Sequence, residues 1–240
     1  MSTEAVATKP RECRARVTAV RALTPDVREA DLAMVEPPAL EFEAGQWVSV
    51  PFGPKTVRAY SIASTPLTPS AITLCADVAP GGIGSRWFRG LASGAEVAFK
   101  GPLGGFTLGA EETRRLVFVA EEIGIVPIRA MLAERDARGA GPPATLVLWA
   151  RDPGWLVYHA ELQALARSAA GFAYHAVVRD AGPDWPGERG EAAALVARLV
   201  DSVDETVAYV AGGATMINDV RAVLMAKGMA RKSVKWEKFW

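Results

Sequence analysis

The sequence predicts two domains: an antiparallel β-domain, followed by an α/β domain with a parallel sheet. The chain has 240 residues, which is enough for two compact domains, and 50% of them are hydrophobic. Residues 12–107 contain short strand-like runs separated by Pro- and Gly-rich turns, a pattern typical of a small barrel or sandwich. Residues 114–240 contain apolar runs that alternate four times with helical patterns, which is typical of a sheet covered on both faces.

The first domain is predicted as a series of strands joined by turns. Residues 1–11 are expected to form a flexible start. The first strand, ECRARVTAVRAL, alternates small or apolar residues with charged ones, as a half-buried strand does. The strands that follow are QWVSVPF, RAYSIAS, AITLCADV and AEVAFKGPLGGF. The segment GSRWFRGLA predicts one short helix over residues 84–92, between the last two strands.

The second domain is predicted to begin at residue 114, after a linker at 108–113. Its strands are continuous apolar runs, suited to a fully covered sheet: RRLVFVA, ATLVLWA, FAYHAVV and TVAYVAG. Its helices are PIRAMLAERDARG, VYHAELQALARSA, EAAALVARLV and TMINDVRAVLMAKG. Pro127 near the start of the first helix and Gly139 at its end follow the usual preferences of these residues.

Composition argues against several kinds of function. The 27 Lys and Arg residues equal the 27 Asp and Glu residues and form no dense basic run, so no nucleic-acid partner is expected. The cysteines, Cys13 and Cys75, and the histidines, His159 and His175, are too few and too scattered for an iron–sulfur or zinc site, so no metal is expected. The chain shows neither a secretory signal pattern nor an apolar stretch of membrane-spanning length, so a cytoplasmic protein without membrane insertion is expected.

Two motifs in the first domain suit a phosphorylated ring cofactor. RAYSIAST offers Arg58 for a bidentate phosphate contact, the flat face of Tyr60 and the hydroxyl of Ser61. GGIGSRWF is a glycine-rich turn that ends in Ser85 at a predicted helix start, where N–H groups and the helix dipole favour an anion. Each motif alone is more typical of an ordinary strand or turn, so their joint occurrence carries the interpretation.

In this order the two motifs resemble the ferredoxin–NADP reductase family of flavoproteins. The family has an Arg-x-Tyr-Ser strand and a Gly-x-x-Ser turn in its first domain, and the resemblance extends from about residue 12 to the end of the chain. Four further segments are similar to family motifs: GPLGGFTL (101–108), DWPGERG (184–190), YVAGGATMINDVRAVLMAKG (209–228) and WEKF (236–239).

The resemblance implies an antiparallel six-stranded flavin-binding β-barrel, followed by a Rossmann-like α/β domain for a pyridine nucleotide. It implies FAD as the cofactor, with FMN as an alternative. The implied flavin contacts are Arg58, Ala59, Tyr60, Ser61, Ala76, Gly82, Ile83, Gly84, Ser85 and Trp240. The arginine and the glycine-rich turn would bind phosphate, the tyrosine would pack on the isoalloxazine, and the serine would hydrogen-bond near its reactive nitrogen.

Two residues near the end of the chain have two interpretations each. The resemblance implies that Glu237 relays protons or sets polarity near the flavin ring, and the alternative is a solvated charge. Trp240 could stack on the flavin face, and the alternative is a frayed terminus.

The activity implied is that of a flavin-dependent oxidoreductase passing electrons between NAD(P)H and a protein carrier such as ferredoxin. The implied nucleotide contacts are Glu121, Glu122, Ile123, Gly124, Arg151, Gly212, Gly213 and Met216. Arg151 either contacts a 2′-phosphate or decorates the surface, so the choice between NAD and NADP stays open.

The nucleotide motifs depart from the family pattern at two places. In AEEIGIVP, Glu121 and Glu122 replace two glycines at which the dinucleotide backbone approaches closely, and Ala211-Gly212-Gly213 replaces Cys-Gly-Pro. A glutamate about 4 Å from a phosphate costs about 4 kcal/mol at an effective dielectric of about 20, roughly a thousandfold in affinity. Two interpretations follow: NAD(P)H binds in a displaced pose, or the chain is an electron-transfer subunit of a larger complex that does not use NAD(P)H.

Overall fold

The computed structural model of the protein describes residues 9–109, 112–139 and 141–239. Most of the predicted flexible start (residues 1–8), two residues of the predicted linker (110 and 111) and Trp240 therefore lie outside the described residues. The chain divides into two compact units with a boundary between Glu112 and Thr113, and Arg129–Glu134 group with the first unit. The two units are described separately below.

The first unit contains a six-stranded antiparallel sheet and one short helix. Its elements are β1 (Arg11–Ala22), β2 (Val27–Glu36), β3 (Trp47–Pro51), β4 (Val57–Ser61), β5 (Ala71–Asp77), α1 (Ile83–Arg89) and β6 (Glu96–Leu103). The strand order is β4-β3-β6-β1-β2-β5, and every pairing is antiparallel. The predicted six-stranded antiparallel architecture is confirmed.

The two end strands of this sheet meet through a short seam. Ile62, directly after β4, forms an isolated antiparallel bridge with Leu74 of β5. The N–H of Ala63 donates to the carbonyl of Thr73 at 2.8 Å. The sheet therefore closes into a barrel. Over its own length, Val57–Ser61, strand β4 has β3 as its only ladder partner among the described residues.

Strand β2 is missing from the strands that the sequence predicts. Its charged residues hide the alternation, because Glu29 is buried at 4% exposure in the middle of the strand. Arg21 of β1 donates to Glu29 and also to Asp31, the latter at 2.6 Å. A cross-strand arginine thus neutralises both carboxylates, and a pattern taken from one strand alone does not contain that partner.

The second unit contains a six-stranded parallel sheet with helices between the strands. Its strands are β7 (Arg115–Glu121), β8 (Ala144–Ala150), β9 (Phe172–Val178), β10 (Glu188–Arg189), β11 (Thr206–Gly212) and β12 (Val234–Lys238). Its helices are α2 (Ile125–Ala137), α3 (His159–Ser168), α4 (Ala192–Leu199) and α5 (Ala214–Ala226). Single 3-10 turns span Glu122–Gly124, Pro153–Trp155 and Arg231–Ser233. The strand order is β10-β9-β8-β7-β11-β12, which confirms the predicted parallel α/β architecture.

The carboxyl ends of the central strands bring the predicted nucleotide residues to one edge of the sheet. Glu121 at the end of β7 lies opposite Trp149 of β8. On the other side of β7, Ala120 lies opposite Ala211 of β11, and Ala211 lies opposite Glu237 of β12. In open α/β sheets, ligands bind outside this edge, so the register alone assembles a candidate site there.

Two further features bear on function. No helix in the described part of the chain is both long and apolar enough to cross a membrane. Cys13 and Cys75 are buried and are not joined in a disulfide, and the described residues contain no group of His, Cys, Asp or Glu side chains that could hold a metal ion.

Candidate functional site

The flavin-type motif of the first unit lies on β4, beside the seam of the barrel. Arg58 and Ala59 are exposed, whereas Tyr60 and Ser61 are each 7% exposed. The ladder with β3 places Tyr60 opposite Val48. The strand therefore presents the arginine outward and anchors the tyrosine ring in the barrel wall.

The glycine-rich turn packs directly against this strand. Helix α1 has Gly82 as its N-cap residue, and Gly84 lies in its first turn. A Cβ added to Gly84 would lie 2.7 Å from the Tyr60 hydroxyl oxygen and 3.1 Å from Cγ of Arg58. Only glycine permits this approach, so the structure brings together the two motifs that the sequence presents separately.

The first turn of α1 offers backbone donors beside an arginine. The first hydrogen bond within the helix runs from the Arg86 N–H to the Gly82 carbonyl at 2.9 Å. The N–H groups of Ile83, Gly84 and Ser85 precede it and therefore have no acceptor inside the helix. With the exposed Arg58 beside them, these donors form a positively polarised surface that suits a phosphate group.

The Tyr60 hydroxyl is buried and has no hydrogen-bond partner among the described residues. Burial raises the pKa of Tyr60 to about 12, against a smaller lowering by the nearby Arg58, so the phenol stays protonated and can donate. Its ring lies 5.5 Å from Trp87 and 5.6 Å from Phe88, both on α1. An unmatched buried donor beside a glycine-lined turn and an arginine fits a phosphorylated ring cofactor.

The other predicted flavin contacts have mixed positions. Ala76 lies in β5 opposite Arg28 of β2 and is 6% exposed within the apolar core of the first unit. Trp87 was not predicted as a site residue, although it packs against both Tyr60 and Phe52. Its place in the first helix after the glycine-rich turn is the signal that could have identified it.

In the second unit, Glu121 does not point into open solvent. Its Oε2 accepts a hydrogen bond from the N–H of Gly213 at 2.7 Å. Gly213 is the N-cap residue of α5, so the carboxylate lies at the positive end of that helix. The side chain thus takes an anion position that a nucleotide phosphate would otherwise be able to use.

Glu122 is held by a different backbone group. Its φ is +48°, in the left-handed region where glycine is preferred, so this position carries a conformational cost of about 1 kcal/mol or more for a glutamate. Its Oε1 accepts the N–H of Arg151 at 3.2 Å. The Arg151 side chain is exposed, with Nε 3.9 Å from Asp152 Oδ2.

Two glycines allow the strand ends to approach each other. A Cβ on Gly124 would lie 2.7 Å from the carbonyl carbon of Ala211 and closer still to its oxygen. A Cβ on Gly212 would lie 2.5 Å from Cβ of Glu121 and 2.7 Å from Cε of Met216, a half-buried residue of α5. Ile123 is 6% exposed and anchors the turn between them.

We expect Gly124→Ala to lower the free energy of unfolding by about 1–3 kcal/mol, because its new methyl group meets backbone atoms of β11 that cannot rotate away. Urea unfolding measures the change. Gly182→Ala is the matched control in the same unit, since no described atom lies within 4 Å of its added Cβ. Equal stability of the two variants would contradict the expected clash.

Burial raises the pKa of Glu121, the Gly213 N–H lowers it in part, and the charges of Glu122 and Glu191 raise it further against a lowering by Arg179. A raised pKa means that the folded protein binds the proton more tightly than the unfolded chain does. The ionised group is therefore destabilising above its folded-state pKa, and this cost disappears as the pH falls below the ordinary glutamate value of about 4.3.

We therefore expect the stability of Glu121→Gln relative to the unchanged protein to increase as the pH is raised from about 4 to about 8. Denaturant unfolding at a series of pH values measures this difference. Gly182→Ala, which changes no ionisable group, is the control and should show a flat difference. A difference for Glu121→Gln that shrinks with rising pH would show that the sign of the pKa shift is wrong.

Glu237 lies in β12 beside the end of β11 and is half-buried. The structure therefore brings this predicted site residue to the same sheet edge as Glu121 and Gly212. Trp240, the predicted stacking residue, lies outside the described residues. The roles assigned to individual site residues stay predictions.

The first unit is a closed antiparallel barrel with a phosphate-type turn, and the second is a parallel α/β unit with nucleotide-type strand ends. This combination defines the class of two-domain flavin-dependent oxidoreductases. Residues 14–108 match the model of the oxidoreductase FAD-binding domain. Residues 118–222 match the model of the oxidoreductase NAD-binding domain. The two matches fall on the two units.

Full-length comparisons agree with these matches. The chain is 33% identical over 235 residues to ferredoxin–NADP reductase B of Sorangium cellulosum, covering 94% of this chain and 96% of that one. It is 27% identical over 236 residues to the reductase component of propane 2-monooxygenase of Rhodococcus jostii, covering 95% of this chain and 64% of that one. The crystal structure of the Amycolatopsis cytochrome P450 reductase GcoB superposes with a TM-score of 0.86 at 26% identity, covering 96% of this chain and 70% of that one.

The chain therefore belongs to the ferredoxin–NADP reductase family of flavin-dependent oxidoreductases. Membership of this family identifies its first unit as an FAD-binding domain and its second as an NAD-binding type of domain.

Proposed function

We propose that this protein passes electrons between NAD(P)H and a one-electron protein carrier such as ferredoxin through bound FAD. The observation that carries the proposal is the close packing of Arg58, Tyr60 and Gly84. There, an arginine, a phenol without a hydrogen-bond partner among the described residues and the backbone N–H groups of the first turn of α1 can bind the phosphate and the ring of a cofactor. A bound flavin supplies exchange of two electrons with a nicotinamide and of single electrons with a carrier. The chain supplies binding, orientation and polarity.

The proposal assigns the following roles, which the positions of the residues support. Arg58 and the N–H groups of the Gly82–Ser85 turn bind the flavin phosphate, and Tyr60 packs against the ring system and donates a hydrogen bond from its hydroxyl to the cofactor. Ser61 hydrogen-bonds near the reactive nitrogen of the ring, and Glu237 sets the polarity of the sheet edge. Residues 12–107 form the flavin-binding domain and residues 114–240 the nucleotide-binding domain.

Relatives support a protein partner. By name, the Sorangium relative reduces or oxidises ferredoxin and the Rhodococcus relative is the reductase component of a monooxygenase. A separate electron carrier or an oxygenase component of a larger complex is therefore the proposed partner. Cys13 and Cys75 are not joined in a disulfide, which agrees with a reducing compartment, and we place the protein in the cytoplasm.

A second candidate function is favoured by one observation. Glu121 holds the N-terminus of α5 with its own carboxylate, where a dinucleotide would need room and positive potential. In this candidate function the protein is an electron-transfer subunit that contains FAD and receives electrons from a partner instead of from NAD(P)H.

One experiment distinguishes these functions. The purified protein is loaded with FAD, and NADH or NADPH is added anaerobically. The flavin absorbance, between about 350 and about 550 nm, is then followed. Rapid bleaching by either nucleotide supports the reductase. Bleaching by dithionite alone supports the second candidate, and a protein that binds no flavin contradicts both.

A further inference from the structure

The two departures of the nucleotide motifs meet in one hydrogen bond. Glu121 ends β7 and Gly213 precedes α5, 92 residues apart in sequence, yet the Gly213 N–H lies 2.7 Å from the Glu121 carboxylate. We call this hydrogen bond the Glu121 latch. It joins the two segments in which the nucleotide motifs depart from the family pattern.

Gly213 supplies the latch with an N–H group. Its φ is −75° and its ψ is 157°, a conformation that any residue adopts, so the backbone does not require glycine here. Proline also adopts a φ close to that of Gly213, but it is the one residue without a backbone N–H. What matters chemically at this position is therefore the presence of a donor, and Glu121 is the group that uses it.

Gly212 supplies the space for the latch. Its φ is +155°, and a Cβ at this position would lie 2.5 Å from Cβ of Glu121 and 2.9 Å from its Oε2. Any larger residue would push the carboxylate off the Gly213 N–H. Position 212 is thus matched to position 121 in size and conformation, and position 213 is matched to position 121 in hydrogen bonding.

The charges around the latch have opposite effects on the Glu121 carboxylate. The helix dipole of α5 and Arg179 favour an anion at this point, whereas Glu122 and Glu191 disfavour it. Arg179 is itself shared, because it pairs with Asp180 and lies over the Trp149 ring at 5.5 Å. The latch is therefore a contact that a competing group can displace.

We infer that Glu121 is an internal latch that keeps the nucleotide site closed, and that a pyridine dinucleotide binds only when this carboxylate has left the Gly213 N–H. The inference rests on the proposed use of NAD(P)H and adds a residue that limits it. The carboxylate occupies the α5 N-terminus in the free protein, and an arriving anionic dinucleotide must replace or expel it. The latch thus lowers affinity for every dinucleotide and does not affect flavin binding.

The test measures binding of NAD⁺ and NADP⁺ to the FAD-loaded protein by calorimetry, since oxidised nucleotides leave the oxidised flavin unchanged. Glu121→Gln removes the charge and keeps the size, and we expect it to raise affinity at least about tenfold, or ~1.4 kcal/mol. Gly213→Pro removes the donor at a compatible φ and should give a similar gain. Gly213→Ala keeps the N–H and is the comparison variant, and its gain is expected to be smaller than that of Gly213→Pro.

The double variant Glu121→Gln/Gly213→Pro decides whether the two residues act through one contact. We expect its gain to equal that of the better single variant, because each change alone already removes the charge-assisted bond between the Glu121 carboxylate and the Gly213 N–H. A gain equal to the product of the two single gains would overturn the latch, and so would equal gains for Gly213→Ala and Gly213→Pro.

A second measurement does not depend on the proline variant folding. In the unchanged protein, the amide ¹H–¹⁵N resonance of Gly213 reports on the hydrogen bond, and saturating nucleotide should shift it from its position in the free protein. An unmoved resonance would overturn the latch. If the unchanged protein binds nucleotide as tightly as all variants, the latch fails and the proposed function stands. If no variant binds nucleotide while dithionite still reduces the flavin, the latch and the proposed use of NAD(P)H fail together.

Discussion

Replacing Glu121 and Glu122 together by glycine is expected to raise the affinity for NADH or NADPH by up to about a thousandfold. The upper limit is the removal of about 4 kcal/mol of repulsion between one carboxylate and a phosphate about 4 Å away at an effective dielectric of about 20. Both carboxylates are partly solvated, which screens the repulsion, so a gain between about tenfold and this limit is expected. Glycine also suits the positive φ at position 122.

Nucleotide titration of the FAD-loaded protein measures this gain. Glu121→Gln/Glu122→Gln is the matched control, because it removes both charges and keeps the bulk of both side chains. If the glycine variant and the glutamine variant gain equally in nucleotide affinity, the charge of the two side chains obstructs binding. If only the glycine variant gains, their bulk obstructs it. An affinity that neither pair changes would contradict the assignment of this turn to the nucleotide site.

Arg58→Gln is expected to weaken FAD binding by about tenfold to about a hundredfold, the loss of one charge-assisted contact of about 1.5–3 kcal/mol. Arg58→Lys should recover part of the loss, since it restores the charge without the bidentate geometry. Quenching of flavin fluorescence during titration of the flavin-free protein measures the dissociation constant.

Arg14→Gln is the control for the flavin measurement, because Arg14 is an exposed barrel arginine that pairs with Glu36 at 2.6 Å. Its FAD affinity should equal that of the unchanged protein. Unchanged affinity in Arg58→Gln as well would remove Arg58 from the phosphate site and leave the N–H groups of α1 as its main donors.

The sequence predicts the central elements of the fold well and its edges poorly. Strands β8, β9 and β11 begin and end at the predicted residues. β8 and β11 are continuous apolar runs that are buried almost throughout, whereas the middle of β9 is exposed or half-buried. The two-residue β10 and the edge strand β12 were not predicted as strands. Edge strands are buried on fewer sides, so their sequences carry a weaker signal.

The candidate flavin site was predictable as a set of residues but not as a geometry. The order of the Arg-x-Tyr-Ser and Gly-x-x-Ser motifs identified Arg58, Tyr60 and Gly84, because these residue types suit a phosphate and a ring. The reason for glycine at position 84 is a contact with side chains of another strand, about 25 residues away in the printed sequence. Such packing across elements has no periodic signature in the chain.

The nucleotide side shows a different limit. In the sequence, the glutamates at 121 and 122 and the replacement of Cys-Gly-Pro by Ala211-Gly212-Gly213 are two separate departures. In the structure the Gly213 N–H donates to Glu121. The partner of the carboxylate is thus a backbone group from a distant segment, which no side-chain pattern indicates.

The short seam of the barrel has a consequence for the protein without its cofactor. A single bridge, Ile62 to Leu74, and the adjoining hydrogen bond from Ala63 to Thr73 join the ends of the described sheet, so one side of β4 has no ladder partner beside the flavin-type residues. An uncovered strand edge is a template for pairing with another chain. A cofactor lying over this edge would act as the missing neighbour, so FAD would protect the protein from self-association as well as carry its electrons.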